Sequence, residues 1–197
     1  ISKINDAVSF IKSKYSAQPQ VGIVLGSGLG SFTGEIKIEK EIPYNEIPHF
    51  PVSTVEGHSG KLILGELSGK KVIAMSGRFH YYEGYSAQDV VFPIRVMKYL
   101  GVQTLLLSNA AGGVNTDYKV GDIMLIKDHI SQFTPNPLIG KNEKEFLAFE
   151  FKSKARIIDD RMVEVIAPDG EVFSVLVSTG KYSNEEYRHY ELHVIEW

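Results

Sequence analysis

The sequence predicts an α/β fold built on a mixed, barrel-like sheet, and two observations carry that expectation. Short, almost wholly apolar runs recur at residues 21–26, 61–67, 70–77, 103–110 and 122–130, several of them ending in glycine or small polar residues. Such runs suit strands buried on both faces. The runs at 61–67 and 70–77 stand at hairpin spacing, whereas a helical stripe separates 70–77 from 103–110. That is the strand–helix–strand order of an α/β unit.

Taken in chain order, the elements begin with "ISKINDAVSFIKSKY", where Ile4, Val8, Ile11 and Tyr15 fall at helical spacing with lysines between them. This reads as an amphipathic surface helix and lacks the unbroken apolar core of a signal peptide. "VGIVLG" follows as the first buried strand and stops in the glycine-rich "GSGLG". After the 61–67 and 70–77 strands comes "SAQDVVFPIRVMKYLG". Ser86 is its N-cap, Val90, Val91, Ile94, Met97 and Leu100 form its apolar stripe, and Gly101 closes it. Pro93 is expected to kink or shorten that helix. Near the C-terminus, "DDRMVEVI" from Asp159 reads as helical, and His189 and His193 as the solvated face of a terminal helix.

Composition bounds the function. A chain of 197 residues, 43% hydrophobic and 23% charged, is enough for one domain with a sizeable core. A net charge of −3 points to neither a nucleic-acid surface nor an anionic membrane as partner, so any anion site must be local. The absence of cysteine excludes disulfides, thiol catalysis and thiolate-bound metal, and fits a cytoplasmic setting. No apolar run reaches the roughly 18–20 residues that a membrane-spanning helix needs. No metal is expected either: "HYELH" has the i,i+4 spacing but lacks the glutamate that directly follows the first histidine of a zinc protease motif.

Four stretches offer chemistry. In "GIVLGSGLGSF" a strand runs into Gly26-Ser27-Gly28-Leu29-Gly30, whose backbone N–H groups and hydroxyl suit an anion. The third glycine comes one residue too early for the dinucleotide fingerprint, and "GELSGKK" lacks the spacing and hydroxyl of a P-loop. A tight strand-to-helix turn explains the glycines equally well. In "MSGRFHYYEG" Arg78 supplies a planar fork of donors for phosphate or carboxylate, and His80 points to the same side if the strand persists. The plainer alternative is a strand end where Arg78 pairs with Glu83, which leaves the two adjacent tyrosines unexplained. "LLLSNAAGGVN" places Ser108-Asn109-Ala110-Ala111-Gly112-Gly113 at another strand end, where small residues leave room for a ligand or merely pack closely. His58 in "VEGHSGK" reads, by itself, as a solvent-facing turn residue.

The motifs "VLGSGLG", "EGHSGKL", "GRFHYYEGY", "NAAGG" and "GDIMLIKDHI" occur in the order and spacing of the homotrimeric purine nucleoside phosphorylases. The chain resembles that family over about residues 1–145. The resemblance implies a single α/β domain around a mixed, partly barrel-closed sheet flanked by helices. It also implies phosphorolysis of inosine and guanosine to free base and ribose 1-phosphate. Inorganic phosphate is then the co-substrate, the assembly a homotrimer, and no metal or organic cofactor is required. Phosphate is held by positions matching Ser27, Arg78, His80 and the backbone N–H of Ala110. Tyr82 holds the ribose, His58 lies near its 5′-hydroxyl, and Asn109 and Gly112 belong to the neighbouring ribose and base region. His80, Tyr82 and His58 are the expected catalytic residues.

Beyond residue 145 the pattern changes. The family's "F-G-x-R-F-P-D-M" corresponds here to "FLAFEFKSK", where Phe146, Phe149 or Phe151 stands for the phenylalanine lent to a neighbouring subunit. The family's purine-gripping glutamate corresponds to Glu185 or Glu186, or has no counterpart. The later "G-M-S-T" loop and base-binding Asn or Asp are not in this chain, so a single domain incomplete at its C-terminal side is expected. The alternative function is an impaired or inactive phosphate- or nucleoside-binding remnant with a structural or assembly role.

Overall fold

The computed structural model describes residues 1–26, 28–52, 60–126, 135–137 and 139, together with the backbone of strands at 154–159, 162–166, 172–176 and 189–196. Helix α1 (Ser2–Lys14) buries Ile4, Ala7, Val8 and Ile11, the stripe its i, i+3, i+4, i+7 pattern dictates. Strand β1 (Val21–Val24) is buried throughout. It is followed by β2 (Lys37–Pro43), β3 (Lys61–Leu67) and β4 (Lys70–Ser76). Then come α2 (Ala87–Leu100), β5 (Thr104–Ala111) and β6 (Ile123–Leu125). Strands β7 (Lys154–Asp159), β8 (Met162–Ile166), β9 (Val172–Leu176) and β10 (His189–Glu196) complete the order.

Seven strands form one mixed sheet in the order β2-β3-β4-β1-β5-β10-β6. β1 lies at its centre, parallel to β4 on one side and to β5 on the other. Alternate residues of these strands therefore feed two cores. Ile73, Met75 and Leu105 join α1 and α2 on one face, while Val72, Ala74 and Leu106 meet Leu29, Phe32 and Ile36 on the other. Gly22 of β1 leaves room for a close packing of helix and sheet, since a Cβ there would lie 2.9 Å from Leu105 Cδ1 and 3.1 Å from Met97 Sδ. The β3–β4 hairpin turns on Ser68 and Gly69, both with positive φ.

α2 is capped as its sequence predicts. Ser86 Oγ accepts from the Asp89 N–H, the Asp89 carboxylate accepts in return, and Gly101 ends the helix at φ 103°. Pro93 does not shorten it; the helix continues to Leu100. Among the described residues the main sheet is open, with β2 and β6 as its edges, so the expected partial barrel closure is not found. β2 carries no apolar period. Lys37, Glu39, Lys40 and Glu41 make it a charged, exposed edge, a common guard against edge pairing.

Two helical expectations fail. "MVEVI" is strand β8 in a separate antiparallel sheet, β7-β8-β9, and His189–Glu196 is strand β10, antiparallel to β5. Val163, Val165 and Ile166 in the first, and Tyr190, Val194 and Ile195 in the second, are β-branched or aromatic residues that favour the pleated backbone over the helix.

α1 is tied to the sheet by a surface cluster. Tyr15 Oη donates to Glu39 at 2.6 Å, and Lys71 Nζ donates to Glu39 at 2.7 Å and Glu66 at 3.2 Å. Burial, then the Glu39 carboxylate, push the Tyr15 hydroxyl up to about 12 from its ordinary 10. Because the folded value is the higher, this contribution is full below about pH 10 and is lost as pH rises through about 12. Urea unfolding at pH 9 and pH 11.5 should show a loss of stability that is smaller in Tyr15→Phe. An equal loss in the two proteins would refute the assignment.

Candidate active site at three strand ends

β1 runs parallel to both its neighbours, so β4, β1 and β5 bring their C-terminal ends to one edge of the sheet. Ligands of α/β sheets collect at such edges, because the loops leaving them converge there. Three of the sequence stretches singled out for their chemistry arrive at this edge together.

The β4 end turns at Gly77, φ 90°, and the carbonyl of that glycine accepts from Tyr44 Oη at 2.6 Å. Phe79 is then driven into the core, its ring 5.2 Å from Tyr44 and 5.5 Å from Tyr85. With Phe79 anchored, the residues on either side of it point together, as the period of two requires. Arg78 Nε donates to His80 Nε2 at 2.9 Å, and Arg78 Nη1 donates to the Ser108 carbonyl at 2.8 Å. The guanidinium thus reaches from the end of β4 to β5. Burial lowers the Arg78 pKa, with Tyr82 opposing the shift, but an arginine so placed remains charged. Among the described residues no carboxylate pairs with it. A half-buried cation with no described counter-ion suits an anion from solution.

Glu83 is not the partner of Arg78. Its carboxylate meets His80 Nδ1, across the short turn Tyr81–Glu83 that Gly84 closes at φ 94°. Since Nε2 accepts from Arg78, the proton of a neutral His80 is on Nδ1 and is donated to Glu83. The Tyr82 ring stacks on His80, centroids 4.8 Å apart at 20°, and is 82% exposed. Sequence reasoning gave Glu83 no role toward His80. The i,i+3 spacing within "HYYE" was the available signal.

The β1 end is governed by Ser108, which sequence reasoning noted only as part of a small-residue turn. Ser108 Oγ accepts from the Gly26 N–H at 3.0 Å and donates to the Val24 carbonyl at 3.2 Å. The backbones are so close that a Cβ on Gly26 would lie 2.5 Å from the Ser108 carbonyl oxygen and 2.9 Å from Asn109 Cα. Beyond Gly26 the loop folds back, the Leu29 N–H donating to the Gly26 carbonyl at 3.1 Å, with Gly28 at φ 91°. At the β5 end Asn109 and Ala110 are half-buried and still paired with β10, opposite Glu191 and Tyr190. Gly112 is exposed, and nothing lies within 4 Å of where its Cβ would be.

Of the expected site residues, Arg78, His80, Tyr82, Asn109, Ala110 and Gly112 therefore lie on or beside this edge. Ser27, His58, Glu185, Glu186 and the three candidate phenylalanines lie outside the described residues. No group of three or more His, Asp or Glu able to hold a metal occurs among the described residues, and no described helix is long and apolar enough to cross a membrane.

The chain is also similar to known proteins. The phosphorylase superfamily profile matches residues 20–184. Purine nucleoside phosphorylase 1 of Bacillus subtilis (strain 168) is 50% identical over 183 residues, which is 92% of this chain and 66% of that protein. The Mus musculus purine nucleoside phosphorylase is 52% identical over 132 residues, 66% of this chain and 46% of the mouse protein. Among solved structures, isoform 2 of the Schistosoma mansoni enzyme, in complex with cytosine and ribose-1-phosphate, superposes with a TM-score of 0.63 at 44% identity. That match covers 74% of this chain and 52% of the other. A purine nucleoside phosphorylase in complex with ribose-1-phosphate superposes with a TM-score of 0.60 at 52% identity, covering 64% and 46%. The chain spans about two thirds of its bacterial relative and about half of the others. A half-buried arginine held at the meeting of three parallel strand ends and a profile match over most of the chain lead to one conclusion: this chain belongs to the phosphorylase superfamily.

Proposed function

We propose that the protein is a purine nucleoside phosphorylase that cleaves inosine and guanosine with inorganic phosphate. A phosphate oxygen bonds to the anomeric carbon, the bond from that carbon to the purine nitrogen breaks, and its electron pair leaves with the base, which takes up a proton. The products are free base and ribose 1-phosphate. The observation that carries this reading is Arg78, held between His80 and the Ser108 carbonyl with no carboxylate paired to it among the described residues.

In this reading Arg78 binds phosphate with Ser27 and the Ala110 N–H, and His80 joins them once phosphate takes over the Arg78 Nε–H and His80 carries a proton on Nε2. An anion placed beneath the sugar both neutralises the oxocarbenium-like transition state and supplies the nucleophile. Such positioning can lower a barrier by up to roughly 7–11 kcal/mol. His80, its Nδ1 side held by Glu83, keeps a fixed orientation toward the anion. Tyr82, with its ring on His80, faces the ribose, and His58 lies near the 5′-hydroxyl. Asn109 and Gly112 border the ribose and base, and Glu185 is the candidate for gripping the purine. The reaction asks for no metal or organic cofactor. A homotrimeric assembly, a cytoplasmic location and a single-domain organisation across 1–197 belong to the same proposal.

The test is incubation with inosine and phosphate while hypoxanthine release is followed. A folded sample without turnover overturns the proposal. One observation favours a second reading, a phosphate-binding protein without phosphorolysis: 162–166 is a strand where the resemblance led to a helix. That reading requires calorimetric phosphate binding, abolished by Arg78→Ala, with no release of base.

A further inference from the structure

We infer that Ser108 is the positioning residue of the anion site, holding the glycine loop and Arg78 in register with each other. The inference rests on the proposed phosphate site and concerns how that site is kept in shape.

Ser108 is buried at 8% exposure near the end of β5 and engages its hydroxyl as both donor and acceptor. The oxygen accepts from the Gly26 N–H at 3.0 Å, and the hydroxyl proton is donated to the Val24 carbonyl at 3.2 Å. Its own carbonyl accepts from Arg78 Nη1 at 2.8 Å. One residue thus joins all three strand ends: β1 and its loop through the side chain, and the segment after β4 through the main chain. The sheet ladder does not do this, since the paired positions of β1 with β5 stop at Val24 and Leu107. From there on the glycine loop is attached to β5 through the Ser108 hydroxyl.

The chemistry requires such a tie. An anion bound jointly by loop N–H groups and a guanidinium needs both sets of donors within about 2.7–3.2 Å of its oxygens. Donors displaced by a fraction of an ångström lose most of their advantage over water. Gly26 and Ser108 also approach too closely for any side chain on Gly26. Space and hydrogen bonding therefore specify the same contact.

The test measures phosphate binding by calorimetry on the full chain, beside thermal melting. Ser108→Val keeps branching and volume close to those of threonine but removes both hydroxyl bonds. It should weaken phosphate binding by about 10- to 100-fold. Ser108→Thr restores the hydroxyl and should bind within about threefold of the parent, a rescue that volume alone does not explain. Ser108→Ala removes the hydroxyl without adding bulk, and serves if the valine variant does not fold. A wild-type chain that binds no phosphate overturns the phosphate site itself. Parent-like affinity in folded Ser108→Val or Ser108→Ala, even with a lowered melting temperature, leaves that site standing and overturns the positioning role. So does equal weakening in Ser108→Thr and Ser108→Val.

Discussion

Arg78→Ala is expected to lower kcat/KM for phosphate by about 10²–10³, equivalent to roughly 3–4 kcal/mol of lost stabilisation of developing charge. The reason is specific to its surroundings. Arg78 is partly desolvated, its pKa is lowered by burial, and its described partners are the neutral acceptors His80 Nε2 and Ser108 O. A phosphate oxygen arriving there meets a cation whose charge no described carboxylate has already neutralised. The effect on folding should be much smaller. Truncation leaves the Ser108 carbonyl and His80 Nε2 short of a donor but also removes a desolvated charge, so stability should change by no more than about 1–2 kcal/mol. Arg78→Lys should fall between the parent and Arg78→Ala, because an ammonium restores the charge without the planar fork that spans Ser108 and the anion. Steady-state kinetics with phosphate varied at saturating inosine would measure all three. An alanine variant with unchanged phosphate dependence would remove Arg78 from the site.

Gly26→Ala should be among the most damaging single-methyl changes in the described part of the protein. Its Cβ would sit 2.5 Å from the Ser108 carbonyl oxygen and 2.9 Å from Asn109 Cα, both backbone atoms of the neighbouring strand. A flexible side chain could move aside; a strand carrying Arg78's acceptor and pairing on both of its edges cannot. Overpacking of this kind costs about 3 kcal/mol, which for a chain of this size lowers the melting temperature by roughly 6–12 °C. Phosphate binding should weaken as well, because separating β1 from β5 stretches the Gly26–Ser108 contact. Gly30→Ala is the matched control. Nothing lies within 4 Å of that Cβ, so a change within about 0.5 kcal/mol is expected. Comparable melting temperatures for the two variants would contradict the close approach at Gly26.

The parts of the site that were legible in the sequence are those whose chemistry is local. Arg78 and His80 are two residues apart on an extended backbone, so their common side follows from the period of two. Ser86, Asp89 and Gly101 announce both ends of α2 because capping uses side chains three residues apart and a glycine at positive φ. Glu83 was visible only as the partner of Arg78 in the plainer alternative. Opposite charge suggested Arg78 as its partner, whereas the turn at Tyr81–Glu83 carries it to His80. β2 was missed because an exposed edge strand of alternating charges has no apolar signature. The strands at 162–166 and 189–196 were read as helices because short segments mixing charged and apolar residues fit either period.

What the sequence determined by itself is the inventory: a glycine loop after a buried strand, an arginine and histidine after another, and a small-residue turn after a third. Those features follow from backbone conformation and from spacing within a few residues. Only the tertiary structure decided that β1 lies between β4 and β5, all three parallel, so that the three stretches end side by side. It alone gave Ser108 its place as the link between Gly26, Val24 and Arg78, across 82, 84 and 30 residues of chain. Hydrogen bonds over such separations depend on sheet order and register, and no local periodicity in the sequence encodes either.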